Sequence, residues 1–223
     1  MSVFGAGRKS LQEAFAEVFE RPEAASDLPA GWFAGRNDLW IFREVARREG
    51  IADGDFERFR EALYAAYLKR LEDNMAGWEN RLVLPGVPEL LERLACGGEN
   101  DAPRALGLVT GNLEGGARIK LGAFGLDRWF AAGGYGEDAI DRGEIAALAR
   151  KRFESRLGQR IDPDEVALVG DTEYDVQAAR ACGYRSVAVA TGWTPMETLR
   201  ETGPDLLLAD LSDPAPLLQL LSA

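Results

Sequence analysis

Two carboxylates spaced four residues apart, Asp171 and Asp175 in VALVGDTEYDVQAARACG (residues 166–183), are the groups best placed for chemistry. Residues 166–169 form an apolar run that breaks at Gly170 into a helix-compatible segment, the pattern of a buried parallel strand feeding a helix. Asp171 then lies at the carboxyl end of the strand, where open α/β sheets bind ligands, and Asp175 lies one helical turn later on the same side. Two carboxylates so placed call for a positive charge between them. Mg²⁺ suits this, since it is held by one or two carboxylates while a phosphate completes its shell. The same residues also allow a plain structural reading, with Asp171 as a helix N-cap and Asp175 as a solvated first-turn acid.

A second strand end repeats this logic. LGLVTGN (residues 106–112) ends in Thr110, Gly111 and Asn112 before a helix, so a hydroxyl and free backbone N–H groups can make an anion site, or simply a capped turn. Arg142, in AIDRGEIAALA, is placed to clamp a phosphoryl oxygen or to pair with Asp138 or Glu144. Lys120, in ARIKLGAFGL, is a competing cation whose mid-helix position predicts a solvated face. The chain has no histidine, which removes Ser-His and Cys-His nucleophile pairs and imidazole acid–base chemistry together. Cys96 and Cys182 form no CxxC pair and read as two reduced thiols.

The elements that must hold these residues fall into two parts. Residues ~8–80 read as all-helical. A first helix stops before Pro22, a second over 39–49 is capped by Asp38, and a third opens at Asp53 or Asp55 and carries Phe56, Phe59, Leu63, Tyr67 and Leu71 at helical spacing. After the Pro85-Gly86 turn, strands and helices alternate, with strands expected over 105–110, 129–132, 166–169, 186–191 and 206–209. This predicts a doubly wound parallel α/β core over residues 82–223 behind a helical region over 1–81. The net charge of −11 argues against a broad nucleic-acid or anionic-membrane surface. No apolar run approaches the ~20 residues needed to span a bilayer, and the start shows no signal-peptide pattern, so a cytoplasmic protein is expected.

Taken in order, the strand-end Thr110, then Arg142, then GDTEYD (170–175), behind a helical block, resembles the haloacid dehalogenase-like hydrolases. The nearest likeness is to the phosphoglycolate phosphatase-like subgroup with its helical cap. GAGRKSLQEAF resembles that subgroup's first cap helix, FAGRND its cap loop, and LPGVPELLERL its return to the core. LGLVTGNLEGGARIKLGAFGLDRWF and LVGDTEYDVQAARACGYRSVAVATG resemble its second and fourth motifs. The resemblance implies a Mg²⁺-dependent phosphatase acting on a small phosphorylated metabolite. In it, Thr110, Gly111 and Asn112 hold phosphate, Arg142 stands where a lysine is usual, and Asp171 and Asp175 serve the metal. Arg36, Asn37 and Asp38 would face the substrate from the cap, or form a structural turn. The family's strand ending in Asp-x-Asp-x-Thr, which carries the nucleophile and the general acid, has no counterpart in the sequence: Asp53 and Asp55 follow no apolar run, and Asp162 and Asp164 precede a strand. With residues 1–7 read as the truncated start of the core, a start codon placed too far downstream is the expectation. The core sheet should then lack a strand between those ending at Thr110 and Asp171, and the chain should be inactive. A non-catalytic phosphate-ligand or protein-binding module and a sugar phosphomutase are the competing readings.

Overall fold

The computed structural model describes residues 2–3, 5–33, 35–79, 81–97 and 102–222. The chain enters through β1 (Ser2–Val3), antiparallel to β2 (Arg81–Leu82), with Ser2 opposite Leu82 and Val3 opposite Arg81. Among the described residues the regular elements between these strands are all helices: α1 (Ala6–Phe19), α2 (Asp38–Arg48) and α3 (Asp53–Ala76), with a 3₁₀ turn at Ala30–Phe33. Their apolar faces meet in one cluster that buries Leu11, Phe15, Phe42, Val45, Leu63 and Leu71. Deleting a side chain so enclosed typically costs about 2–5 kcal/mol. Phe59, expected on this face, is 38% exposed and packs edge-on against Phe19 at the rim. The cluster also takes in Leu113 from the α/β half, so the two halves share apolar surface.

After α4 (Val87–Cys96) the chain builds two parallel sheets. The first pairs β3 (Gly107–Val109) with β4 (Ala132–Gly134), with α5 (Glu114–Gly122) between them in sequence. Then α6 (Arg142–Leu157) leads to a second sheet of β5 (Ala167–Gly170), β6 (Arg185–Val189) and β7 (Leu206–Leu208). Helices α7 (Glu173–Cys182), α8 (Met196–Glu201) and α9 (Ala215–Ser222) complete the fold.

The strand expected over 129–132 is displaced: Asp127–Trp129 is a 3₁₀ turn and the pairing begins at Ala132. The signal is faint because β4 is Ala-Gly-Gly, poor in β propensity. Glycine stands at position 134 because a Cβ there would overlap the Ile145 carbonyl of α6.

The doubly wound α/β class stands, but its sheet is divided. Among the described residues no strand joins β3 to β5, and Val169 on β5 is 42% exposed where an interior strand would bury it. Helix α6 bridges the seam by packing on β3, β4 and α7. Val109 and Leu168, from opposite sides of the seam, meet Ala146, Ala178 and Ala179 in one cluster.

Candidate active site

Asp175 is the most heavily bonded side chain of the strand ends. Its Oδ1 accepts from Arg142 Nη1 at 2.9 Å. Its Oδ2 accepts from the Asp171 N–H at 3.2 Å, the Thr172 N–H at 3.0 Å and the Thr172 hydroxyl at 2.7 Å. The Asp175 N–H returns a bond to Thr172 Oγ1, closing a capping box at the start of α7. Asp175 is therefore buried and fully engaged, neither a solvated acid nor an open metal ligand. Arg142, the first residue of α6, spends a donor on this pair, while Asp138 pairs with Arg152 at 2.6 Å and Asp141 caps α6 through the Glu144 N–H. The cap of α7 is Thr172, which leaves Asp171 free of that task.

Asp171 differs from its neighbour. It is half-buried, and among the described residues no other residue donates to its carboxylate. Burial, and then the charge of Asp175, push its pKa above the ordinary aspartate value, with Arg142 acting against them. Its carboxylate lies against Gly192 in the loop after β6, where a Cβ would overlap it, so that glycine sets where the charge sits.

Across the seam, the Thr110 N–H donates to the Gly134 carbonyl at 3.1 Å, and Thr110 Oγ1 accepts from the Asn112 N–H at 3.2 Å. The cap loop closes over both strand ends. Gly35 lies beside Thr172, while the Asp38 N–H donates to the Gly111 carbonyl at 2.7 Å. Asn37 Nδ2 donates to the carbonyls of Gly136 at 3.1 Å and Ala139 at 2.8 Å, and its Oδ1 caps α2 by accepting from the Trp40 N–H. Asp38, expected as that cap, instead accepts from the Leu113 N–H at 2.9 Å. Burial raises the Asp38 pKa against the opposing pull of Lys120. Arg36 is exposed, its guanidinium 4.9 Å from the Trp32 ring centroid and 4.5 Å from that of Trp40. Asn37 and Asp38 thus pin the loop to the core.

Lys120 is the residue that sequence reasoning misplaced. Instead of facing solvent it is half-buried, donating from Nζ to Asn112 Oδ1 at 2.7 Å at the wall of a 210 Å³ cavity between the helical block and α5. Burial lowers its pKa, and Asp38 acts in the opposite sense. The signal was present: Leu113, Gly116, Ala117 and Lys120 share one helical stripe, and the first three are buried.

For Mg²⁺ the donor set fits in part. Among the described residues no group of three His, Cys, Asp or Glu side chains converges. Asp171 offers an open carboxylate, and Asp175 supports its turn from behind. That is compatible with an ion that takes few protein oxygens and completes its shell with water and phosphate.

Residues 5–183 match the haloacid dehalogenase-like hydrolases, and the chain belongs to that family. It is 28% identical to phosphoglycolate phosphatase 1 of Pseudomonas aeruginosa over 200 residues, covering 89% of this chain and 68% of that one. It is 29% identical to a phosphoglycolate phosphatase of Synechococcus elongatus over 180 residues, 78% of this chain and 74% of that one. The fold is shared with a predicted phosphoglycolate phosphatase from Haemophilus somnus (TM-score 0.66, 19% identity, 97% of this chain and 92% of that one). It is shared too with a β-phosphoglucomutase from Clostridium difficile (TM-score 0.65, 13% identity, 97% and 91%). Among the described residues no helix is long and apolar enough to cross a membrane.

Proposed function

We propose that this chain is the scaffold of a Mg²⁺-dependent phosphomonoester hydrolase, cytoplasmic and acting on a small, phosphoglycolate-like metabolite, with residues 1–81 as cap and 82–223 as core. The observation that supports the reading is that Val109 of β3 and Leu168 of β5 pack in one cluster, while the loop before α2 lies beside Thr172 at Gly35 and bonds the Gly111 carbonyl through the Asp38 N–H. Thr110 offers a hydroxyl to a phosphoryl oxygen, beside the turn backbone of Gly111 and Asn112. Arg142 holds Asp175, and Asp175 in turn holds the backbone on which Asp171 is presented. A bound Mg²⁺ on Asp171 would neutralise charge on the phosphate.

In this reading the nucleophile is a carboxylate on a strand that fills the seam. It attacks phosphorus, the ester oxygen leaves with a proton from a second carboxylate, and water cleaves the acyl-phosphate to release phosphate. Within the 223 residues there is no histidine to substitute for such a carboxylate, and among the described residues Asp175 is spoken for. The chain alone is therefore inactive. A non-catalytic phosphate-binding module is the second reading, favoured by the same full engagement of Asp175.

Release of inorganic phosphate from phosphoglycolate, with Mg²⁺ and with a chelator, separates the two readings. It is measured for the 223-residue chain and for one extended by an apolar strand ending in Asp-x-Asp-Gly-Thr. Turnover confined to the extended chain, and lost when the first added aspartate becomes asparagine, is the expected result. Phosphate binding without turnover in either form would favour the binding module. Robust turnover by the short chain would overturn the assignment of the nucleophile.

A further inference from the structure

The cavity beside Lys120 holds more donor capacity than the protein uses. Lys120 Nζ carries three donors, and among the described residues one of them is bonded, to Asn112. Tyr67, only 3% exposed, lines the same cavity and brings its hydroxyl to the Gly7 wall. Both groups converge on Gly7: a Cβ there would lie 3.5 Å from Tyr67 Oη and 3.7 Å from Lys120 Nζ. Arg8 stands on the same wall. Its Nη2 donates to the Ala25 and Ser26 carbonyls, which fixes the guanidinium in place. The negative group on the cavity, Asp38, already accepts from the Leu113 N–H. The lining therefore presents cations and a hydroxyl to whatever enters.

Asn112 ties this cavity to the strand end. Its N–H donates to Thr110 Oγ1 while its Oδ1 accepts from Lys120, so the two sites lie one asparagine apart. At 210 Å³ the cavity is smaller than the roughly 300–1,000 Å³ of pockets that enclose larger ligands, which favours a group of a few atoms over a sugar ring.

We propose that Lys120, with Tyr67 and Arg8, binds a carboxylate carried by the phosphorylated substrate, so that Lys120 selects short phosphorylated acids over esters with a neutral leaving group. The inference rests on the phosphate site of the preceding reading. A buried cation with unused donors gains most from an anion that arrives already stripped of water by the cavity. The burial that depresses the Lys120 pKa is the same desolvation that such an anion would offset.

Two measurements test this. In calorimetry with the 223-residue chain, phosphoglycolate should bind at least tenfold tighter than ethyl phosphate. Lys120→Met should bring that ratio close to one. Tyr67→Phe, which removes one oxygen and little packing, should lower it severalfold. A preference absent from the unaltered chain, or unchanged in both variants, overturns the proposal. The second measurement does not need phosphate. Lys120 is one of four lysines, so its ε-carbon NMR signal can be assigned with Lys120→Arg and followed during titration with glycolate. A glycolate-dependent shift and a raised Lys120 pKa are expected. A silent Lys120 signal overturns the subsite. A responding signal in a protein that hydrolyses nothing, even when extended, keeps the subsite and sinks the phosphatase reading alone.

Discussion

Asp171 and Asp175 sit one helical turn apart, and their mutual repulsion is relieved differently at each. Asp175 is matched by Arg142 and three further donors, whereas the half-buried Asp171 carboxylate accepts no hydrogen bond from another of the described residues. Opposite responses to the same substitution follow. Asp175→Asn strands Arg142 in a partly buried position and should cost about 3–5 kcal/mol by denaturant unfolding. Asp171→Asn removes a charge that the fold disfavours. Because burial and Asp175 raise its pKa in the folded state, the stability tied to protonated Asp171 is present below the ordinary value of 3.8 and lost as pH rises through the raised one. The asparagine variant should thus melt higher than the unaltered chain at pH 7 without metal, with each kcal/mol worth about 2–4 °C, and should no longer be stabilised by Mg²⁺. Equal melting shifts with Mg²⁺ in both proteins would return Asp171 to a structural role. The spacing of this pair was legible in the sequence, but Arg142 was expected on a phosphoryl oxygen or on Asp138 or Glu144, whereas it pairs with Asp175 and Asp138 pairs with Arg152. The division of labour between the two aspartates was not legible, because it depends on which oxygens the Thr172 turn occupies. Lys120 was misread for a related reason: its helix buries a stripe poor in large apolar residues, so the buried face looked solvated.

Among the elements, β3 and β5 each turn an edge unpaired among the described residues toward the seam. Both expected strands form, close to the predicted positions, and the division between them was anticipated from the absent motif. The sequence could not show that α6 would close over the seam, since that depends on tertiary packing of Ala146 against Ala178 and Ala179. The unpaired edges invite pairing with another chain. The 223-residue chain should associate with rising concentration in sedimentation velocity. Val169→Lys, at a residue already 42% exposed, should suppress this with a stability change within about 0.5 kcal/mol. Unaltered association in that variant would place the contact elsewhere. The cap loop teaches a complementary lesson. Its position next to the strand ends was readable from FAGRND, but Asn37 and Asp38 spend their polar atoms on the carbonyls of Gly136 and Ala139 and on the Leu113 N–H. A loop rich in recognition chemistry can be consumed by docking.

At the scale of the whole molecule, the helical block and the core are joined by the cluster that reaches Leu113, and the two sheets are joined by α6. A split sheet bridged by α6, and by the cluster that packs Leu106 and α4 against Ala167 and Val187, bears on the cooperativity of unfolding. Intact, the chain should melt in one calorimetric transition whose van't Hoff and calorimetric enthalpies agree. Ile145 is 1% exposed on α6, against the backbone of Gly134. Ile145→Ala should cost about 2–5 kcal/mol and, by loosening the grip on β3 and β4 more than that on α7, should make the van't Hoff value fall below the calorimetric one. A single sharp transition in that variant would mean that the halves are coupled elsewhere. If α6 is the coupling, this protein's all-or-none melting is a property of one helix, and a destabilising change on it would populate a half-folded species that an equal change in α1 or α3 would not.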